Sequence, residues 1–161
     1  MMVLHLPAYR FNIKKHNDRT VIFDRLRKRF VALTPEEWVR QNVVEFLIVE
    51  KEFPAGLMAN EVSLHQNGLK KRCDTVVYDK NKMPLLLAEF KAPDVVVSQE
   101  TFDQIMRYNL ILKVPFLLVS NGLHHFFCHV DYQRQQVDYL NDIPRFADLE
   151  KYLQPQNDAT R

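Results

Sequence analysis

Lys71-Arg72-Cys73-Asp74-Thr75-Val76-Val77-Tyr78, then Asp79-Lys80-Asn81-Lys82, then Pro84-Leu85-Leu86-Leu87-Ala88-Glu89-Phe90-Lys91 is the stretch on which the fold turns. Its first part is rich in β-branched residues and reads as a strand. Asp79 to Lys82 is a hairpin turn. The return run is continuously apolar from Leu85 to Ala88, the mark of a central strand buried on both faces. Side chains two apart on a strand share a face. Glu89 and Lys91 therefore point one way, and Ala88 and Phe90 point into the other layer. Asp74 lies on the partner strand, within reach of Glu89 across the hairpin. Charges in such apolar surroundings are costly unless they bind something.

Two carboxylates from adjacent strands, with the backbone carbonyl of Phe90, could hold a hard divalent cation. Mg²⁺ suits oxygen ligands and keeps several waters, and Mn²⁺ is the natural substitute. The cation would polarise a phosphodiester and lower the pKa of a bound water. Lys91 could orient that water, help deprotonate it, or neutralise charge developing on phosphorus. A strand-edge ion pair of Lys91 with Glu89 or Asp74 is the plainer reading of these residues. The apolar run that Glu89 terminates weighs against it.

Upstream, Thr34-Pro35-Glu36-Glu37 is the clearest helix start in the chain. Thr34 can cap, Pro35 suits the first helical position, and Glu37 can complete a capping box. Val39, Val43, Phe46 and Leu47 continue an apolar stripe to about Glu50. Asn60 to His65 alternates as a strand, broken at Asn67-Gly68. Before the helix, residues 8–14 and Thr20–Phe23 read as strands around a turn at His16–Arg19. Asp24 to Leu33 reads as a short helical turn followed by a strand. Downstream, Ser98 opens a helix with Phe102, Ile105, Met106 and Leu110 at helical spacing. Pro115–Val119 is a buried strand, Asn121-Gly122 a tight turn, and His124–Val130 a further strand. Gln135–Tyr139 reads as an edge strand and Pro144–Leu153 as a terminal helix. The expectation is an α/β (α+β) fold with a mixed sheet and helices packed on it. An N-terminal β extension would span 1–33, the main domain 34–153 and a frayed tail 154–161.

The ordered set of motifs resembles the PD-(D/E)xK nuclease superfamily. Asp74 followed by Glu89-Phe90-Lys91 looks like its D…(D/E)xK signature. Gln104-Ile105-Met106-Arg107-Tyr108 resembles the QxxxY motif of the RecB-like branch. Together with Ala92-Pro93, Ser120-Asn121-Gly122 and the Thr34–Gln41 helix start, the run over roughly 30–130 is similar to the N-terminal nuclease domain of type I restriction enzyme R (HsdR-like) subunits. The resemblance implies a restriction-endonuclease-like αβββαβ core, Mg²⁺ dependence and DNA cleavage in the cytoplasm. Asp74 and Glu89 would be metal ligands and Lys91 the catalytic lysine. Gln104 and Tyr108, one turn apart, would position the lysine or the DNA backbone. Cys73 stands where the superfamily often has proline. No Gly-x₄-Gly-Lys-(Ser/Thr) occurs among the three glycines, so the expectation is a freestanding domain, or one that works with a motor or specificity subunit on another chain. A non-catalytic DNA-binding or assembly module is the rival expectation.

Lys70, Lys71 and Arg72, just before Asp74, are candidate phosphate contacts. Arg25, Arg27, Lys28 and Arg29 could extend a basic rim, though such runs are usually solvated faces. Glu37, Arg40, Glu45 and Glu61 are secondary site candidates from the flanking helix and strand. His124, His125, Cys128 and His129 fall on opposite strand faces and complete no tetrahedral metal set.

The composition, 47% hydrophobic and 26% charged, fits an ordinary globular domain in a chain of 161 residues. A net charge of +2 is too mild to identify a nucleic-acid partner by itself, so the distribution of charge must decide. Two cysteines without ligand spacing suit a reducing compartment. The first residues are too short for a secretory h-region, and no apolar run reaches the ~20 residues of a membrane span.

Overall fold

A computed structural model describes residues 1–153. The expected tail 154–161 lies outside the described residues. The strands are β1 (Ile13–His16), β2 (Arg19–Asp24), β3 (Arg29–Ala32), β4 (Met58–Gln66), β5 (Leu69–Tyr78), β6 (Pro84–Phe90), β7 (Phe116–Ser120), β8 (His125–Asp131) and β9 (Gln136–Leu140). The helices are α1 (Pro35–Val49), α2 (Gln99–Leu112) and α3 (Phe146–Leu153). Strands β1–β3 form a separate antiparallel sheet, and β4 to β9 form a six-stranded sheet in chain order. Only β6 and β7 run parallel, joined by the crossover through α2. The αβββαβ order is therefore α1-β4-β5-β6-α2-β7, and the sheet is mixed.

Helices cover both faces of the large sheet. Val39, Val43 and Leu47 of α1 pack with Leu86, Ala88, Phe90, Phe116 and Leu118, and Leu149 of α3 joins them. Phe102 and Leu112 of α2 pack with Val76, Leu87, Leu117 and Val119 on the opposite face. The run Leu85–Phe90 is buried throughout because it feeds both layers.

Local chemistry sets the element ends. The Thr34 hydroxyl accepts from the Glu37 N–H at 3.0 Å, and Ser98 does the same for Thr101 at 3.2 Å. Asn17-Asp18 and Asn67-Gly68 sit in left-handed backbone as two-residue hairpin turns, which matches the twist of their flanking strands. Two readings change. The first strand begins at Ile13, not Ala8, because Tyr9 and Phe11 serve α1 instead. Phe11 packs edge-on against Trp38 at 5.4 Å, and the Tyr9 hydroxyl donates to Glu50 at 3.4 Å. The segment after Asp24 is a hairpin turn, not a helical one. Asp24 Oδ1 accepts the N–H groups of Leu26 and Arg27, and Lys28 is left-handed.

Candidate active site

The ladder between β5 and β6 runs from Tyr78↔Pro84, across a register shift, to Thr75↔Ala88 and then stops. Beyond it Asp74 supplies the next rung with its side chain, Oδ2 accepting the Phe90 N–H at 2.8 Å. The other oxygen, Oδ1, accepts from Arg40 Nη2 at 3.3 Å. Asp74 is thus tied to the very residue whose carbonyl was expected as a ligand, and to α1. Glu89 lies beside it, 8% exposed.

The two carboxylates have different surroundings. Glu89 Oε1 is buried without a hydrogen-bond partner. The nearest cation, Lys71 Nζ, is 3.7 Å away, a loose ion pair. Burial first, and then the charge of Asp74, push the Glu89 carboxyl up to about 8. Lys71 Nζ also lies 5.0 Å from the centroid of the Tyr108 ring. Lys71 therefore reaches into the site with its ammonium between β6 and α2.

On the α1 side the charges are dense and paired. Arg40, 3% exposed, reaches Glu61 Oε1 at 2.6 Å as well as Asp74, and its Nη1 lies 3.1 Å from Glu37 Oε2. Its Nε and Nη1 have no well-formed hydrogen bond. Glu61 also pairs with Arg72 at 2.5 Å. Burial pushes the Glu61 carboxyl up, but the two guanidinium groups overcome it and hold it below its usual range. Glu61 stands in mid-strand with φ at 56°, a conformation costing an L-residue about 1–2 kcal/mol. Its two ion pairs offset that cost.

Glu37 uses only its N–H for the cap. Its carboxylate accepts from Arg27 Nη2 at 2.5 Å and Gln41 Nε2 at 2.7 Å. Arg27 is in turn paired with the fully buried Asp24, and Asp24 Oδ2 accepts from Asn60 at 2.8 Å. Asn60 accepts from Thr75 Oγ1 at 2.6 Å, one residue from Asp74. A buried polar chain therefore runs from the small sheet into the site. It was not legible in the sequence, where Asp24 looked like a turn residue.

The remaining candidates fall as follows. Lys91 makes no ion pair among the described residues, though its charge is felt by Glu89 and by Glu36. Glu36 is a residue the sequence reading missed. It is half-buried, and its carboxyl is raised by burial and then by Asp74. The signal available was its four-residue spacing from Arg40, which puts both on one helix face. Gln104 is exposed on α2 and makes no side-chain hydrogen bond among the described residues, whereas Tyr108 reaches the site through Lys71. Lys70 and Arg72 are exposed, Arg72 holding Glu61. Glu45 lies apart, paired with Arg25 at 2.8 Å.

Cysteine and histidine chemistry is not built here. Burial pushes the Cys73 and Cys128 thiols up to about 12. His125 Nδ1 meets Ser120 Oγ at 2.7 Å, and His129 packs against Phe116. Among the described residues no group of three or more His, Cys, Asp or Glu is arranged to hold a metal ion. A divalent cation would rest on Asp74, Glu89, a backbone carbonyl and waters. That donor set is hard oxygen, and the orphaned Glu89 Oε1 is the atom such a cation would satisfy.

A family model described as the type I restriction enzyme R protein N terminus (HSDR_N) matches residues 35–144, more than half of the chain. The fold is similar to the solved fragment of a protein described as an HsdR subunit of a type I restriction enzyme from Vibrio vulnificus YJ016. The TM-score is 0.55 at 21% identity, over 75% of this chain and 25% of that one. The chain thus spans about a quarter of that relative's length, and the likeness is one of fold. No curated protein matches it. Among the described residues, no helix is long and apolar enough to cross a membrane.

Proposed function

This chain belongs to the family of type I restriction enzyme R protein N termini, and from that premise we propose that it is a Mg²⁺-dependent deoxyribonuclease domain hydrolysing phosphodiester bonds. The observation that carries the reading is Glu89 Oε1, a buried carboxylate oxygen with no hydrogen bond, set beside a second carboxylate. A protein gains nothing structural from that pairing, and a bound cation removes its cost. Asp74 and Glu89 are the proposed ligands. The cation, when bound, supplies Lewis-acid polarisation of the phosphodiester and an acidified water.

The chain's own residues do the rest. Arg40 and the Phe90 N–H hold Asp74 in one orientation, so its carboxylate is fixed before substrate arrives. Lys91 carries a charge not committed to any ion pair among the described residues, so it is free to meet a phosphate oxygen or to orient the attacking water. Tyr108 faces Lys71, whose ammonium lies 3.7 Å from Glu89 Oε1. DNA is the proposed substrate.

The test is plasmid nicking in Mg²⁺ or Mn²⁺, with Mn²⁺ binding followed in parallel by calorimetry. Asp74→Ala and Glu89→Gln are each expected to lose Mn²⁺ binding and at least about 100-fold in rate. Lys91→Ala is expected to lose rate and keep the metal. Equal nicking by all three variants and the wild type sinks the reading. The rival module without catalysis has one observation in its favour, the Lys71 ammonium already opposite Glu89. It predicts no Mn²⁺ binding by the wild type together with intact DNA binding.

A further inference from the structure

The small sheet carries a charge balance opposite to that of the rest of the chain. Residues 1–33 hold eight Lys and Arg against two Asp and Glu, and the remainder holds fourteen against eighteen. Of the eight, Arg25 pairs with Glu45 and Arg27 with Asp24 and Glu37. The other six, Arg10, Lys14, Lys15, Arg19, Lys28 and Arg29, are all exposed and make no ion pair among the described residues. Both acidic residues are poorly placed to balance them. Asp24 is fully buried, and Asp18 sits at the β1–β2 turn.

Register sorts the two faces of this sheet. Ile13, Ile22 and Val31 form one cross-strand row, and Ile22 is fully buried, so that row faces inward. Lys14, Val21 and Ala32 form the next row, on the outward face with His16, Arg19, Phe23 and Phe30. Phe23 and Phe30 pack edge-on at 5.3 Å, and Lys14 Nζ lies 3.8 Å from the Phe30 centroid. Lys14 and Arg19 thus stand on the face with this small aromatic centre, Lys28 sits in the β2–β3 turn, and Lys15 and Arg29 alternate to the other side at the exposed ends of the strands.

We infer that the exposed cations of this small sheet bind the phosphate backbone of duplex DNA flanking the bond to be cut. The inference deepens the nuclease reading and rests on it. Dispersed cations that make no ion pair among the described residues suit a polyanion, whose bound counterions they displace. A single strand would instead call for open aromatic faces on which bases stack. Here the Phe30 face is covered by Lys14, and Phe23 is only 37% exposed. The face is also fixed relative to the site. The chain Asp24–Asn60–Thr75 and the chain Arg27–Glu37–Arg40–Asp74 anchor the sheet to β4, β5 and α1. Duplex held there has a set position with respect to Asp74.

The test is fluorescence anisotropy of a labelled duplex oligonucleotide with the full chain in EDTA, across a salt series. A variant with Lys14→Gln, Arg19→Gln, Lys28→Gln and Arg29→Gln changes exposed residues only. It is expected to bind the duplex at least about tenfold more weakly near 100 mM salt, with a salt slope smaller by about 3 to 4. A control with Lys80→Gln and Lys82→Gln, exposed lysines outside this sheet, is expected to bind as wild type. Wild-type affinity and slope in the four-residue variant overturn the inference. So does an equal loss in the control, or a preference for single strands that Phe23→Ala abolishes. The measurement needs neither metal nor turnover, so its failure leaves the nuclease reading standing. Conversely, absent cleavage with the expected binding result sinks the nuclease reading alone.

Discussion

The two sides of the candidate site are built on opposite electrostatic terms. On the α1 side, three carboxylates surround one buried guanidinium, and two of them have a second cation of their own. On the β6 side, one buried carboxylate oxygen has no hydrogen bond and only a loosely placed ammonium. Folding alone accounts for the first arrangement, since buried charges must be paired. It does not account for the second. The difference separates scaffold from working part. The paired side fixes where Asp74 points, and the unpaired side keeps a vacancy of charge for a ligand.

The harshest way to break this contrast is to remove the hub of the paired side. Arg40→Ala leaves Glu37, Glu61 and Asp74 without their shared cation. A loss on the order of 3–5 kcal/mol is expected in urea unfolding, with the four-residue variant of the small sheet as an exposed-charge comparison. A loss under about 1 kcal/mol would mean that the α1 side is no scaffold.

The unpaired side should respond with the opposite sign. The Glu89 carboxyl is raised from 4.5 to about 8 in the folded chain. A raised value contributes stability that is full below the unfolded pKa and lost as pH climbs through about 8. Without metal, the wild type should therefore lose stability between about pH 4.5 and 8, and Glu89→Gln should be spared that loss. At pH 9 the variant is expected to be the more stable by a few kcal/mol, with no gap at pH 5. Mn²⁺ should reverse the order, because only the wild type gains the ion. Parallel curves for the two proteins would contradict the picture.

The mildest effect lies outside both sides. Arg25→Gln removes a pair with Glu45 whose cation is half exposed. Thermal unfolding should shift by no more than the equivalent of about 0.5 kcal/mol. A larger shift would mean that the paired region extends further along α1 than its geometry indicates.

How much of this was readable beforehand follows from range. Thr34-Pro35, Asn67-Gly68 and the run Leu85–Phe90 act on their own neighbours, and they read correctly. The α1-β4-β5-β6-α2-β7 order was likewise legible from periodicity and turns. Asp74 and Glu89-x-Lys91 could be placed near one another because a short hairpin joins their strands. Arg40 to Asp74 and Asn60 to Asp24 span 34 and 36 residues, and no local period encodes them. Glu61 was a candidate, but its double pairing with Arg40 and Arg72 was hidden for another reason. Alternation assumes extended backbone, and a left-handed residue in mid-strand breaks that premise. Lys71 was read as a phosphate contact from its place just before Asp74, and its long stem carries the ammonium in toward Glu89.

The side-chain rung from Asp74 to the Phe90 amide has a consequence for how such a protein would age under relaxed selection. Asp74 serves two masters: it completes the sheet where the strands part, and it belongs to the proposed chemistry. Glu89 belongs to the proposed chemistry and makes no such rung, and its buried carboxylate costs the fold stability. A lineage that no longer cut DNA would profit from losing Glu89 early, to glutamine or an apolar residue. It would still be held to a short acceptor at position 74. In such descendants the two acids would decay in a fixed order, the glutamate first, and an aspartate left by itself would be the vestige of a lost activity.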